Sequence, residues 1–235
     1  MLRPYFLSLL ALSTLFFTSH SQAFESSNIQ LLYSDQFDGD AFIYDTQNGH
    51  KTTLTLEHFR TWSGGDLFMF ADLTQGKKFD GTKQEIYTEV SPRFSFSKLS
   101  GQALSTRWTK DFYLATQVNL GDGYEAYLAG VGVDLILPYF KFFSVNLYHK
   151  RDNFKNSTYQ LTPAYQTQAF KNFHLEGFWD ITEQNWQTHQ QLLYNFQEAF
   201  SSTRPVYGGV EWIQYEHYTS HTLSNALQVM LKLQF

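Results

Sequence analysis

Hydrophobic and polar residues alternate along much of the chain with a period of two. The clearest case is the final segment, in which every second residue is apolar: Leu227, Val229, Leu231, Leu233 and Phe235. The residues between them are polar except Met230. Successive side chains of a β-strand point to opposite faces. The pattern therefore predicts a strand with one apolar face and one mostly polar face.

Segments with the same rhythm recur through the chain, and most are about nine to twelve residues long, the length that a tilted strand needs to cross a bilayer. No stretch after Phe24 approaches the roughly 20 apolar residues of a membrane-spanning helix. We therefore predict an all-β fold, a transmembrane antiparallel β-barrel of about 12 strands with both termini in the periplasm. The predicted strands are Ile29–Gln36, Thr52–Thr61, Asp66–Thr74, Glu85–Phe96, Lys110–Asn119, Glu125–Leu137, Lys141–Arg151, Thr158–Gln168, Phe173–Ile181, Thr188–Gln197, Val206–Glu216 and Ala226–Phe235.

The connections follow from this arrangement. Ser63-Gly64-Gly65 and Leu137-Pro138-Tyr139 become periplasmic turns, and Gly121-Asp122-Gly123 is interpreted as no more than a tight turn. Asp38–His50 and Gln75–Gln84 become outer loops. We expect the shortest connections mostly on the periplasmic side, as is usual for such barrels.

The first residues are typical of an export signal. Arg3 precedes an apolar run from Leu7 to Phe17, and Ser21-Gln22-Ala23 supplies a small-x-small cleavage pattern. We predict a signal peptide over residues 1–23 and a barrel over residues 24–235 in the bacterial outer membrane. An uncleaved membrane anchor is the alternative, but the apolar run is short for a spanning helix.

The last strand resembles the signal by which the barrel-assembly machinery recognises its substrates, because it ends on an aromatic residue, Phe235. That machinery and the lipid bilayer are therefore predicted partners. The alternative is an edge strand of a soluble sheet. An exposed apolar strand at the terminus would be an aggregation hazard in water.

Composition agrees with a barrel better than with a soluble domain. Mean hydropathy is only -0.35, yet 18% of the residues are aromatic. Alternating strands keep mean hydropathy low while aromatic residues collect at the membrane interfaces. With no cysteine there can be no disulfide or thiolate metal site. The net charge of -5 and the lack of a basic block speak against nucleic-acid binding. No motif for a metal or other cofactor stands out.

Three blocks of the sequence resemble one family. Thr53–Asp72, with the core LEHFRTWSGGDLFMFAD, is similar to the second hairpin of the Tsx-like nucleoside-specific channels. Glu89–Ser95 resembles that family's acidic-x-x-Pro-Arg-Phe-Ser strand, with a Lys-Leu turn following at Lys98-Leu99. Tyr127–Leu137 and Phe142–His149 resemble a later pair of strands and carry Gly130, Gly132, Asp134 and Asn146-Leu147-Tyr148.

The resemblance implies a twelve-stranded monomeric barrel with a narrow, slit-like pore that passes nucleosides. Relatives serve as phage receptors, so bacteriophage is a candidate partner. The chain is shorter than the nucleoside channels, mainly in its loops, and is closer to a compact branch of uncertain function. This difference bears on the solute more than on the fold.

Alternation also predicts which side chains face the lumen. In the third strand, Asp66, Phe68, Phe70 and Asp72 point inward. A pore that selects a nucleoside needs rings to stack on the base and polar groups to bond the ribose hydroxyls. The alternative is that these rings only pack a narrow lumen.

The same assignment extends to the other strands. The further residues that it turns inward are Thr53, Thr55, Asp111, Tyr113, Gln117, Asn146, His174 and Tyr207. Opposed acids and bases would create a transverse field that suits a neutral, polar solute, although structural pairing such as Glu89 with Arg93 is an alternative. The predicted solute-contacting residues are Glu57, Phe59, Asp66, Phe68, Phe70, Asp72, Glu89, Arg93, Asp134, Tyr148, Lys150, Glu176, Phe178, Asp180, Glu211 and Tyr215.

Two polar residues fall on the outward face, where the pattern otherwise predicts apolar side chains. Alternation from Glu57 turns His58 and Arg60 outward, and we expect them near the periplasmic headgroups beside Trp62.

Three functions are compatible with the pattern. The first is passive uptake of small polar solutes, with nucleosides as the best single candidate. The second is a plugged barrel that acts as a surface receptor or structural protein. The third, an outer-membrane lipid hydrolase, would need a nucleophile beside a base. The sequence offers only the bare dipeptide Ser220-His221 in the last outer loop, so we do not predict an enzyme.

Overall fold

Twelve strands form a closed antiparallel barrel in a computed structural model that describes residues 24–37, 49–78, 81–154, 156–220 and 222–235. One short helix, α1 (Phe96–Ser100), follows β4. The strands are β1 (Glu25–Phe37), β2 (Gly49–Trp62), β3 (Gly65–Lys78), β4 (Gly81–Ser95), β5 (Thr109–Leu120), β6 (Glu125–Leu135), β7 (Phe140–Asp152), β8 (Ser157–Thr167), β9 (Phe173–Thr182), β10 (Asn185–Asn195), β11 (Val206–His217) and β12 (Thr222–Gln234).

Each strand pairs with its neighbours in sequence, and β1 pairs with β12 to close the ring. At this seam the Ser27 amide donates to the Phe235 carbonyl at 3.0 Å, and the Phe235 amide donates to the Ser27 carbonyl at 2.9 Å. The prediction of an all-β, twelve-stranded antiparallel barrel is confirmed. Within the part of the chain described, no helix has the length and hydropathy to cross a bilayer.

All twelve predicted segments overlap an observed strand. The main error concerns Gln75–Gln84, predicted to be an outer loop. There β3 continues to Lys78 and β4 begins at Gly81, with Gly76 paired to Lys83. Beyond the apolar part of a strand, polar residues can continue the ladder in water, where alternation is no longer required. The hairpin therefore projects further than its apolar pattern indicates. The other predicted loop, Asp38–His50, lies outside the described residues except where β2 begins.

The two ends of the barrel differ in their connections. The end that carries both termini, here the terminal end, has connections 63–64, 96–108, 136–139, 168–172 and 196–205. At the opposite, distal end the connections after β3 are 79–80, 121–124, 153–156, 183–184 and 218–221. The expectation of shorter connections beside the termini is therefore wrong for this part of the chain.

The longest described connection is fixed to the barrel by α1. Ser95 caps the helix by accepting from the Lys98 amide at 3.0 Å. The Lys98 ammonium donates to the carbonyls of Trp62 at 2.8 Å and Gly65 at 2.9 Å, in the neighbouring hairpin. The connection is thus held to the neighbouring hairpin by hydrogen bonds.

Inner and outer faces separate as alternation predicts. Leu31 and Leu231 face outward and are exposed, whereas Gln30 and Gln228 face inward and are buried. Inside, Leu32, Leu193 and Met230 form an apolar cluster. Gly209 lies between Leu193 and Met230 in the register. Because Gly209 has no side chain, the two larger residues meet across β11.

His58 lies on the outer face, as predicted, and its Nδ1 is 2.8 Å from the Ser27 hydroxyl on β1. A polar outward residue is therefore hydrogen-bonded within the wall.

Candidate functional site: the lumen

The predicted site residues share the inner face of the barrel. In an antiparallel sheet, residues directly opposite one another lie on the same face. The register runs Glu57–Phe70–Glu89 across β2, β3 and β4, and Glu176–Gln191–Glu211 across β9, β10 and β11. The other predicted members fall on the same inward rows. Whether they contact a solute stays a prediction.

The Arg93 cluster (Arg93, Asp66, Asp134 and Tyr113) joins four strands near the terminal end. Arg93 binds Asp66 through two contacts of 2.8 Å each, a bidentate pair. Its Nη1 donates to Asp134 at 2.8 Å, and the guanidinium lies 4.1 Å from the centre of the Tyr113 ring. The Tyr113 hydroxyl donates to Asp134 at 3.0 Å. One base thus holds two carboxylates.

The suggested pairing of Glu89 with Arg93 is wrong. Glu89 accepts from the Tyr87 hydroxyl at 2.6 Å and from the Gln117 amide at 3.0 Å. Residues four apart on one strand share a face but are separated by about 13 Å along it. Asp66, by contrast, lies directly opposite Arg93 in the register.

A second ion pair spans non-adjacent strands. The Lys232 ammonium on β12 is 2.5 Å from Glu176 Oε1 on β9. Glu176 Oε2 also accepts from the Gln166 amide at 2.8 Å and lies 3.2 Å from His174 Nε2. Since β10 and β11 lie between β9 and β12, this pair reaches over two strands.

The amide belt runs along the wall from β2 through β1, β12 and β11 to β10. It consists of Asn28, Gln30, Glu57, Gln191, Glu211 and Gln228. Asn28 donates to Glu57 at 2.7 Å, and Gln30 donates to Asn28 at 2.9 Å and to Glu57 at 3.3 Å. Gln191 donates to Gln30 at 3.1 Å and to Glu211 at 2.7 Å. Gln228 donates to Glu211 at 3.0 Å. The belt links two carboxylates through amide groups.

Two further groups of charges lie inside the barrel. Buried Lys51 lies near enough to Asp72, Glu85 and Glu211 to interact with them electrostatically. Asp180 accepts from the Thr162 hydroxyl at 2.6 Å and from the Gln187 amide at 3.0 Å. Both signs of charge occur around the ring, and the transverse field expected from opposed acids and bases stays a prediction.

Aromatic rings line two opposite walls. Phe68, Phe70 and Tyr87 form a patch on β3 and β4, with 6.0 Å between the ring centres of each successive pair. Phe178 on β9 stacks against His189 on β10 at 5.0 Å, with 14° between the ring planes. In a ring of twelve strands β3 and β9 are six positions apart, so the two patches face each other.

The remaining predicted site residues lie elsewhere on the inner wall. Tyr148 is buried against Ala115, Ala126 and Leu128. Phe59 packs near Phe24, with ring centres 6.1 Å apart. Lys150 lies 6.0 Å from the Tyr124 ring, and Tyr215 is half-buried on β11.

Several lumenal residues were missed in the sequence. Only alternation indicates that Lys51, Tyr87, His189 and Gln191 face the lumen. Alternation does not distinguish these four from other inward residues. Gln228 and Lys232 fell on the polar face of the last strand, but nothing in the sequence pointed to their partners. His221, of the suggested catalytic dipeptide, lies outside the described residues.

A model of the nucleoside-specific channel-forming protein Tsx matches residues 33–222 of this chain. The chain belongs to the Tsx family. No curated protein sequence matches it. The membership confirms the resemblance drawn from the three sequence blocks.

Solved structures of similar shape are outer-membrane porins. A KdgM porin in complex with disordered oligogalacturonate has a TM-score of 0.51 at 12% identity, over 89% of this chain and 99% of that one. A second KdgM porin structure gives 0.50 at 13%, with the same coverages. The outer membrane protein Omp33 of Acinetobacter baumannii gives 0.40 at 12%, over 90% of this chain and 96% of that one. At these identities the two KdgM structures support the fold alone. Family and fold together place this Tsx-family chain in the outer membrane as a channel for small solutes.

Proposed function

We propose that the barrel takes up nucleosides passively, along with other small polar solutes. The observation that carries this proposal is the pair of aromatic patches on opposite walls, each beside carboxylates. A nucleoside has a flat base and a sugar with several hydroxyl groups. The rings of Phe68, Phe70 and Phe178 offer surfaces for the base, and Asp72 and Glu89 offer acceptors for the ribose hydroxyls.

The geometry favours transient contacts. Asp180 on β9 lies near enough to Glu89 and Tyr87 on β4 to interact with them electrostatically, so the walls approach each other at this level. A solute passing there would meet rings and carboxylates on both sides. Family membership supports the choice of nucleosides as the first solutes to test.

We further propose that residues 1–23 are removed on export, that both termini face the periplasm, and that the barrel works as a monomer. Insertion would depend on the assembly machinery acting on the strand that ends at Phe235. Phage binding would fall to the distal loops. Protease accessibility in whole cells, measured with a tag at either end, tests the orientation.

The aromatic patch can be tested by liposome swelling with adenosine and with arabinose, using Phe68→Ala/Phe70→Ala. We expect the adenosine rate to fall at least about fivefold, because stacking contributes about 1–3 kcal/mol per base. The arabinose rate should stay the same or rise. Phe94→Ala/Phe112→Ala removes two outward rings and is the matched control.

Equal permeation of adenosine and arabinose through the unaltered barrel would contradict selectivity for nucleosides and leave a general diffusion pore.

A closed barrel that acts as a surface receptor is the second candidate. The observation that favours it is that apolar clusters occupy part of the interior, one of which joins β1, β10 and β12. A complete lack of swelling and of conductance in planar bilayers, with a correctly folded barrel, would favour this function over transport.

A further inference from the structure

The charges inside the barrel are not balanced. Four inward bases, Lys51, Arg93, Lys150 and Lys232, face ten inward carboxylates. Those carboxylates are Glu57, Asp66, Asp72, Glu85, Glu89, Asp111, Asp134, Glu176, Asp180 and Glu211. Counted over the inward residues whose side chains the structure describes, the lumen thus carries a formal charge of 4 − 10 = −6, leaving out Asp152, which bonds the turn at the distal rim.

The amide belt adds a second feature that points the same way. An ionised carboxylate can only accept hydrogen bonds, so an amide beside it must turn its NH₂ group toward it. Gln191 and Gln228 both donate to Glu211 in this way. Their carbonyl oxygens are then left for other donors.

Those oxygens have no partner within the described part of the chain. Gln191 Oε1 and Gln228 Oε1 are buried and accept no hydrogen bond there, and the same holds for Asn146 Oδ1 on β7. Buried polar atoms are normally satisfied by protein or water. The partial negative charge of these three inward oxygens is therefore not compensated by a donor among the described residues.

We propose that this lumen is cation-selective and passes solutes that are neutral or positive, while it rejects anions. A narrow, low-dielectric passage lined by one sign of charge focuses the field and raises the local concentration of the opposite ion. Rings of Asp and Glu select cations in other channels for the same reason. This inference rests on the proposed channel function and narrows its solute class.

The charge preference can be measured with three solutes of one ring size. In liposome swelling the purified full-length barrel should pass galactosamine fastest, galactose next and galacturonate slowest, with at least about tenfold between the two charged sugars. In planar bilayers with a tenfold KCl gradient, the reversal potential should have the sign of a K⁺-selective pore.

The belt carboxylates are tested with Glu57→Gln/Glu211→Gln, which keeps the size of both side chains. We expect the reversal potential to move toward zero by at least half and the galactosamine advantage to shrink several-fold. Glu125→Gln/Glu183→Gln removes two exposed carboxylates outside the lumen and should leave both measurements unchanged.

The outcomes separate the two proposals. A conducting barrel that prefers Cl⁻ or galacturonate would overturn cation selectivity and leave the channel function intact. If the control pair changes both measurements as much as the belt pair does, the selectivity comes from surface charge. That result would also overturn the lumenal explanation. A folded barrel without conductance or swelling would overturn the proposed function itself, and the selectivity with it.

Discussion

The Arg93 cluster and the amide belt show two ways of keeping carboxylates inside one barrel. In the cluster, one guanidinium makes short, charge-assisted contacts with Asp66 on the adjacent strand and with Asp134 two strands away. In the belt, Glu57 and Glu211 accept hydrogen bonds from neutral amides on the adjacent strands, and the bond from Gln191 to Gln30 joins the two halves of the belt.

The two arrangements have different consequences. A base compensates charge and fixes the strands, but it leaves little field for a passing solute. Amides satisfy hydrogen bonds without removing the negative charge of the carboxylates. We infer that the cluster serves mainly stability and that the belt serves mainly selectivity.

Arg93→Met gives the largest expected effect, because it leaves two buried carboxylates without their base. Breaking one side of a buried ion pair costs about 3–5 kcal/mol, and we expect a loss of that size in the free energy of unfolding. Urea unfolding in phospholipid vesicles, followed by tryptophan fluorescence, measures it. Arg151→Gln, at an exposed outward position, is the control; a similar loss there would refute the assigned role of the cluster.

Lys232→Met tests the ion pair that crosses β10 and β11. Glu176 would lose the ammonium at 2.5 Å but keep the Gln166 amide and the neighbouring His174. We expect a destabilisation of about 2 kcal/mol, the size of one hydrogen bond to a charged group. The same unfolding assay applies, and a loss as large as that of Arg93→Met would contradict the ranking.

Gln30→Leu should have the smallest effect on stability. It removes the side chain that joins Glu57 to Gln191, both of which retain other contacts. We expect a loss of about 1 kcal/mol in unfolding free energy. The K⁺ preference in planar bilayers should be retained, because no charge is removed. A loss of selectivity would show that the geometry of the belt matters more than its carboxylates.

Much of the fold follows from the sequence alone. Alternation identified all twelve strands because each wall residue faces either lipid or lumen, and a period of two records that choice. The same signal placed Asp66, Phe68, Glu89 and Arg93 on the inner face correctly. It failed for Gln75–Gln84, where both faces of the hairpin are polar.

Partners inside the lumen were less predictable. Asp66 meets Arg93 through local hairpin register, but Lys232 meets Glu176 only because the ring closes with a particular stagger between strands. Alternation fixes the face of a side chain and not its position around or along the barrel. The pairing of neutral amides with carboxylates in the belt depends on such positions, so only the structure reveals it.

The seam between β1 and β12 has a consequence for biogenesis. Gln234 donates to Ser26 at 2.8 Å although the two residues are 208 positions apart. One edge of β1 therefore has no partner strand until β12 has been synthesised. An eleven-stranded product would present two unpaired edges to hydrocarbon, where backbone groups have no alternative partners. Loss of the last strand should thus yield no smaller pore, only a precursor destined for degradation.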